Sequence, residues 1–156
     1  MHHYGFSNYS EKARLALWYK GLAWLGVTIP PVAPKPGLTP LTGGYRRTPV
    51  LQVGADIYCD TRLILMELER RFPAPTLCPE DLTAEANMIA HWAESQFFRP
   101  MSLYVSGSNL DVLPWDLRAD RSRMRGLPEP SDETVRRAAQ RSRGSFTDAM
   151  DRTIAF

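Results

Sequence analysis

Cysteine is scarce in this chain. Cys59 and Cys78 are its two thiols among 156 residues; they stand at no metal-ligand spacing, and two are too few for a disulfide framework, which excludes a zinc module and a stapled secreted scaffold. Long apolar runs are missing too. None approaches the roughly 20 residues that cross a bilayer, and the start, MHHYGFSNYSEK, lacks the basic-then-apolar layout of a signal peptide. These absences point to a reducing, cytoplasmic setting without a membrane partner. An excess of charge of one sign is also lacking: 19 Lys and Arg face 17 Asp and Glu, which argues against a dedicated nucleic-acid binder. Eight arginines do crowd between residues 118 and 143 against four acids, but no aromatic platform accompanies them, so they read as a solvated helix face.

What is present is a chain 44% apolar, enough for a real core, with proline concentrated in two places. SNYSEKARLALWYKG predicts a first helix. Asn8 with Glu11 three residues on reads as a capping box, Gly21 supplies a left-handed stop, and Ala13, Leu17 and Leu15 form the buried side. LGVTIP predicts a short strand. PPVAPKPGLTPLTGG, with five prolines and three glycines, predicts a loop holding one helical turn. Residues 50 to 59 predict a hairpin turning at Gly54, and Asp60 is an N-cap for TRLILMELERRF, whose Leu63, Ile64, Leu65, Met66, Leu68 and Phe72 make a broad apolar face. PAPTLCPEDL, residues 73 to 82, is a linker between a domain at 1 to 72 and a helical one at 83 to 156. In the latter, Thr83 should cap a helix that Pro100 kinks or ends. Further helices are expected over 116 to 125 and from 131 to about 142, the last broken near Gly144, with Met88 and Phe97 in the core.

Two stretches carry chemistry. HHYGFSNYSEKAR puts Tyr4, Ser7, Tyr9 and Ser10 around a helix start, where unpaired amides favour an anion and a hydroxyl can donate to a thiolate, lowering a thiol pKa from about 8.5. The plain alternative is that Ser7 and Ser10 only cap the helix. In YRRTPVLQVGADIYCDT, a cis bond between Thr48 and Pro49 would turn the Thr48 N–H and C=O toward a ligand, and Asp60 with Thr61 would hold an ammonium and a carboxylate. Taken alone, Asp60 reads as an N-cap.

In this order and spacing the two stretches resemble the glutathione S-transferase family, closely over residues 1 to about 72 and loosely to about 127. The resemblance implies an α/β, thioredoxin-like βαβ-ββα domain, its first strand largely missing, followed by an incomplete all-α domain. It implies glutathione as cosubstrate, a small apolar electrophile as second partner, and a homodimer. In serine-type members the place of SNYS makes Ser7 the catalytic hydroxyl; Asn8 replaces the usual proline there, and Tyr4, near the end of the first strand, is the tyrosine-type alternative. By the same likeness Arg47 contacts the glycine carboxylate with Lys35 assisting, Thr48 before Pro49 pairs with the cysteinyl backbone, and Asp60 with Thr61 grips the γ-glutamyl end. Trp92, Gln96 and Tyr104 would border the electrophile, and no metal is called for. From about residue 128 the likeness stops, so the chain is expected to be truncated at both ends. A non-catalytic interaction module or a non-functional fragment is the rival reading.

Overall fold

A computed structural model describes residues 1–154; residues 155 and 156 of the expected helical domain lie outside the described residues. The chain divides into two compact units, Met1–Pro79 and a second beginning at Glu80.

The first unit is built on β1 (His2–His3), α1 (Asn8–Tyr19), β2 (Val27–Thr28), β3 (Val50–Val53), β4 (Asp56–Cys59) and α2 (Thr61–Arg71). It is the expected thioredoxin-like order, and the sheet runs β2-β1-β3-β4. Although β1 has two residues, it pairs on both sides, parallel to β2 through His2 and Val27 and antiparallel to β3 through His2 and Val50. Side chains alternate across a strand, so Val50 and Leu51 serve different cores. Leu51 joins Met1, Ala13, Ala16, Leu17, Ile64 and Leu68 beneath α1 and α2. Val50 joins Ile29 and Leu38, the latter carried by the proline-rich loop, with Tyr4, Tyr45, Ile57 and Cys59 packed around them. That loop makes one helical turn, Thr39 N–H donating to the Lys35 carbonyl, so Leu38 is fully buried.

Several expectations change at the level of single residues. The N-cap of α1 is Ser7, one position before Asn8: its Oγ accepts from the Ser10 N–H at 3.2 Å. Gly21, at φ +63°, is the stop. Leu15 is exposed, as are Leu63 and Met66 on α2 and Phe72 just past its end, while Glu67 on α2 is buried. Its carboxylate takes Arg70 Nε and Nη2 at 2.9 and 2.7 Å and the Arg71 guanidinium besides. Arg70 and then Arg71 hold Glu67 well below the usual 4.5, at about 2. Lys20, its side chain fully buried, ends α1 by reaching Glu69 at 2.7 Å and the carbonyls of Phe72 and Pro75 at 2.5 and 2.9 Å. Burial would raise Glu69, but Lys20, Thr76 and the Leu77 N–H outweigh it and bring it to about 2.

The second unit is helical: α3 (Thr83–Trp92), a π-helical stretch Ala93–Phe98, α4 (Arg99–Ser108), α5 (Trp115–Met124) and α6 (Asp132–Ile154). Thr83 does not cap α3; it lies within the helix, and its hydroxyl donates to the Glu80 carbonyl. Pro100 does not stop the helix either, because the wider π turn comes first and leaves Pro100 in the opening turn of α4, where its missing N–H costs little. α6 runs straight through Gly144. Met88 is exposed and Phe97 half-buried, facing Phe146 at 5.9 Å. α4 and α6 meet at Gly107, where a Cβ would stand 2.3 Å from the Ala139 Cβ.

Two measurements follow from this packing. Gly107→Ala has no room, and thermal unfolding should show a loss of about 1–3 kcal/mol, the usual range for overpacking; an unchanged midpoint would mean α4 and α6 do not approach this closely. The carboxylates lowered by their partners stabilise the fold fully above their unfolded value and lose that contribution as pH falls toward about 2. The melting midpoint should therefore drop across that acid range. Glu67→Gln should start lower at neutral pH and fall less steeply, with Glu69 still contributing; parallel curves would show that Glu67 is unpaired in solution.

Candidate functional site

The register of four short strands decides where the chemistry lies. Because β2 runs parallel to β1, and β3 antiparallel to both β1 and β4, the C-terminal ends of β1, β2 and β4 share one edge of the sheet with the N-terminal end of β3. Onto that edge come the segment after β1 with Tyr4 and Ser7, the loop after β2 with Lys35, Thr48–Pro49 ahead of β3, and Asp60–Thr61 after β4.

Ser7 is buried, with extended backbone at φ −82°, ψ 113°, as a cap requires. Its oxygen accepts the Ser10 N–H through a lone pair, and that bond does not use the hydroxyl hydrogen, which can still donate. Tyr4 is half-buried; its ring lies 4.8 Å from that of Phe6 and beneath the Lys35 ammonium at 5.5 Å. Lys35 Nζ donates to Thr48 Oγ1 at 3.2 Å, so Tyr4, Lys35 and Thr48 form one connected group. The Thr48–Pro49 peptide is cis, Pro49 is fully buried, and strand pairing starts only at Val50, which leaves Thr48 outside the ladder.

Asp60 is exposed at φ 78°, ψ 133°, a region that side-chain-bearing residues rarely occupy and that concentrates at functional sites. Its Oδ1 accepts the Arg62 N–H at 2.8 Å, capping α2, while Thr61 is buried as the first helical residue. Arg47 is exposed on the loop before Thr48. Arg47 and Asp60 meet electrostatically at Tyr45. Burial raises that phenol above its usual 10, Asp60 raises it further and Arg47 opposes. Tyr45 was not singled out from the sequence; the available signal was an aromatic ring directly ahead of an arginine pair. Burial also raises the Cys59 thiol, which makes it a packing group and not a reactive one.

A cleft of about 540 Å³ lies along the loop, walled by Pro34, Pro36 and Pro40 and edged by Lys35 and Arg46. It shares Lys35, and none of the other expected site residues, with the group above. In the second unit Trp92 and Tyr104 are half-buried and Gln96 is exposed. Trp92 lies 6.1 Å from Phe97, and Tyr104 stacks on Phe146 at 5.5 Å. Among the described residues no His, Cys, Asp and Glu group is placed to hold a metal, and no helix is long and apolar enough to cross a membrane.

Residues 1–76 match the profile of the glutathione S-transferase N-terminal domain. They belong to that family. A GST-like protein from Pseudomonas syringae matches at 37% identity and a TM-score of 0.57, over 90% of this chain and 54% of that one. Against a glutathione S-transferase from Rhodospirillum rubrum F11 the identity is 21% and the TM-score 0.64, over 92% and 61% of the two chains. A glutathione transferase homologue from Burkholderia GL BGR1, with bound glutathione, matches at 20% identity and a TM-score of 0.52 over 99% and 97%. The last two likenesses concern the fold alone. The chain thus spans a little over half the length of the first two relatives. No curated protein matches it.

Within this transferase-type domain the cap role of Ser7 has its own energetic signature. Ser7→Ala should lower stability by about 1 kcal/mol through loss of the cap, and Ser7→Asp, which keeps an acceptor, should recover most of it. Thermal unfolding of both variants checks this; equal losses would mean the Ser7–Ser10 bond carries no stability.

Proposed function

We propose that the chain binds glutathione along this sheet edge and delivers its thiolate to small apolar electrophiles. The observation that supports this most strongly is the convergence of Ser7, Thr48, Asp60 and Thr61, from three separate segments, on one edge of the sheet.

Each group then has a task that its geometry suits. Ser7 donates its hydroxyl hydrogen to the sulfur, and the first amides of α1 add their positive end, so the thiol ionises below its ordinary value of about 8.5. Ser7 is favoured over Tyr4 because the Tyr4 ring is engaged by Lys35 and Phe6 and packs beside Ile29, Leu38 and Val50. Thr48, outside the ladder, offers its N–H and C=O to the cysteinyl backbone. Asp60 spends one oxygen on its cap and keeps the other for the γ-glutamyl ammonium, while Thr61 and the α2 amides take the adjoining carboxylate. Arg47, exposed, takes the glycine carboxylate. Lys35 is buried and bonded to Thr48, which suits a brace better than a direct contact.

In the reaction the sulfur lone pair forms a bond to an electrophilic carbon, and the leaving group departs with its bonding pair; the chain supplies activation and position, without a covalent enzyme intermediate. Leu63 and Met66, exposed on α2, fit the homodimer that the resemblance implies. A reducing, cytoplasmic setting suits a free thiol cosubstrate.

Thermal unfolding with and without millimolar glutathione tests the reading. At a hundred times the dissociation constant the ligand should stabilise by about 2.7 kcal/mol, and Ser7→Ala should then bind glutathione while losing about 10²-fold in kcat toward an aryl halide. A cooperative transition that glutathione leaves unmoved would overturn the proposal in favour of an interaction module.

A further inference from the structure

The segment that delivers Ser7 is thinly held. Gly5 and Phe6 are exposed, and nothing lies within 4 Å of where a Gly5 Cβ would stand, yet Ser7, the next residue, is buried. Within the loop the Phe6 ring lies 4.8 Å from that of Tyr4 and the Ser7 N–H donates to the Tyr4 carbonyl at 3.3 Å; the restraint from outside it comes from further along α1. Arg14 Nη2 donates to the Gly5 carbonyl at 3.0 Å, Nη1 lies 3.0 Å from His3 Nδ1, and Nε donates to Glu11 Oε2 at 2.6 Å. One guanidinium therefore joins the end of β1, the loop and the first turn of α1.

The chemistry of the contact fixes its sense. Arginine has five donors and no acceptor, so His3 Nδ1 must be the acceptor and the ring is neutral, with its hydrogen on Nε2. Burial first, then the Arg14 charge and the amino terminus, keep His3 below its usual range, in agreement. The ring is packed on its far side. It meets Trp24 edge-on at 5.4 Å, and Gly26 lies so close that a Cβ there would stand 3.0 Å from His3 Nε2. A planar fork suits three acceptors in three directions, and a lysine point charge does not.

We propose that Arg14 is a positioning residue, whose fork ties the Gly5 carbonyl to the His3 ring at the end of β1 and thereby fixes the Ser7 hydroxyl at the start of α1. The proposal rests on the role given to Ser7 above. Arg14 acts through the loop and not on the thiolate.

Amide hydrogen exchange at Ser7, whose N–H donates to the Tyr4 carbonyl, measured in the unliganded chain together with the thiol pKa of bound glutathione and steady-state kinetics with an aryl halide, tests it. In Arg14→Met, exchange should quicken about tenfold as the loop opens locally. The bound thiol pKa should rise by about one unit, and kcat should fall about tenfold, while the glutathione dissociation constant, measured below that pKa where the thiol is protonated, moves less than about twofold. Arg14→Lys keeps the stem and the charge, so it should fold as the native chain does and still resemble Arg14→Met in all three readouts. The proposal is overturned if exchange and thiol pKa ignore either substitution in a folded protein, or if Arg14→Lys restores native values, since charge and not the fork would then be the cause. If glutathione leaves the native chain unmoved, the glutathione reading falls and the role of Arg14 falls with it; if glutathione binds and the substitutions change nothing, the clamp alone falls.

Discussion

The pairing of His2 with Val27 on one side and Val50 on the other is the constraint on which the rest of the first unit depends. A strand of two residues has little length over which to find its register, and a slip of one would exchange its two faces. The register is held from outside the strand. The Met1 amino group donates to the Leu25 carbonyl at 2.6 Å, Met1 itself is buried under α1 and α2, and Ile29 N–H donates to the His3 carbonyl. With β1 fixed, β3 must start at Val50 and β4 must end opposite it at Cys59. The three segments that bear Ser7, Thr48 and Asp60 then have one place to go.

Much of this was legible because it rests on local chemistry. Val50–Val53 and Asp56–Cys59 are short runs rich in β-branched and aromatic residues around a glycine at φ +62°, and Asp60 follows as a helix cap; turn, strands and cap agree with one another. What was not legible depends on groups distant in the chain or on small energy differences. Ser7 and Asn8 are equally good caps, and which one serves is set by where β1 releases the chain. An exposed Gly144 costs a helix about 1 kcal/mol, too little to break α6 once it packs on α4. Glu67 falls in an apolar run and ends buried because Arg70 and Arg71 follow it on the same helix. The π turn at Ala93–Phe98 leaves no periodic signature, since it shifts the register once and for a single turn.

The polar groups of the first unit divide by what each partner requires. Lys20 and Glu67 are buried or nearly so, and ligation from several sides is what makes this tolerable: two carbonyls and a carboxylate for the one, two guanidinium groups for the other. They hold the ends of α1 and α2. At the sheet edge the arrangement is different. Asp60 is exposed in a strained backbone, Arg47 is exposed, and Thr48 stands outside the ladder. Groups kept in such states stabilise the fold less than they would in better-satisfied positions, which agrees with the binding role proposed for them.

Under the proposed function Ser7 belongs to both sets, and that follows from the asymmetry of a hydroxyl. As an acceptor it closes the first turn of α1 and contributes to folding; as a donor it has a hydrogen that the cap never uses. A carboxylate cap would serve the helix equally and repel a thiolate, whereas alanine would serve neither purpose. The same atom can therefore be held rigidly by the fold and still offer its one donor toward an anion. Rigidity is what raises the value of that donor, because a hydrogen bond aimed in advance needs no reorganisation when charge develops on the sulfur. On this argument the loop before Ser7 matters as much as Ser7, since an error of direction there would leave the cap intact and misplace the hydrogen.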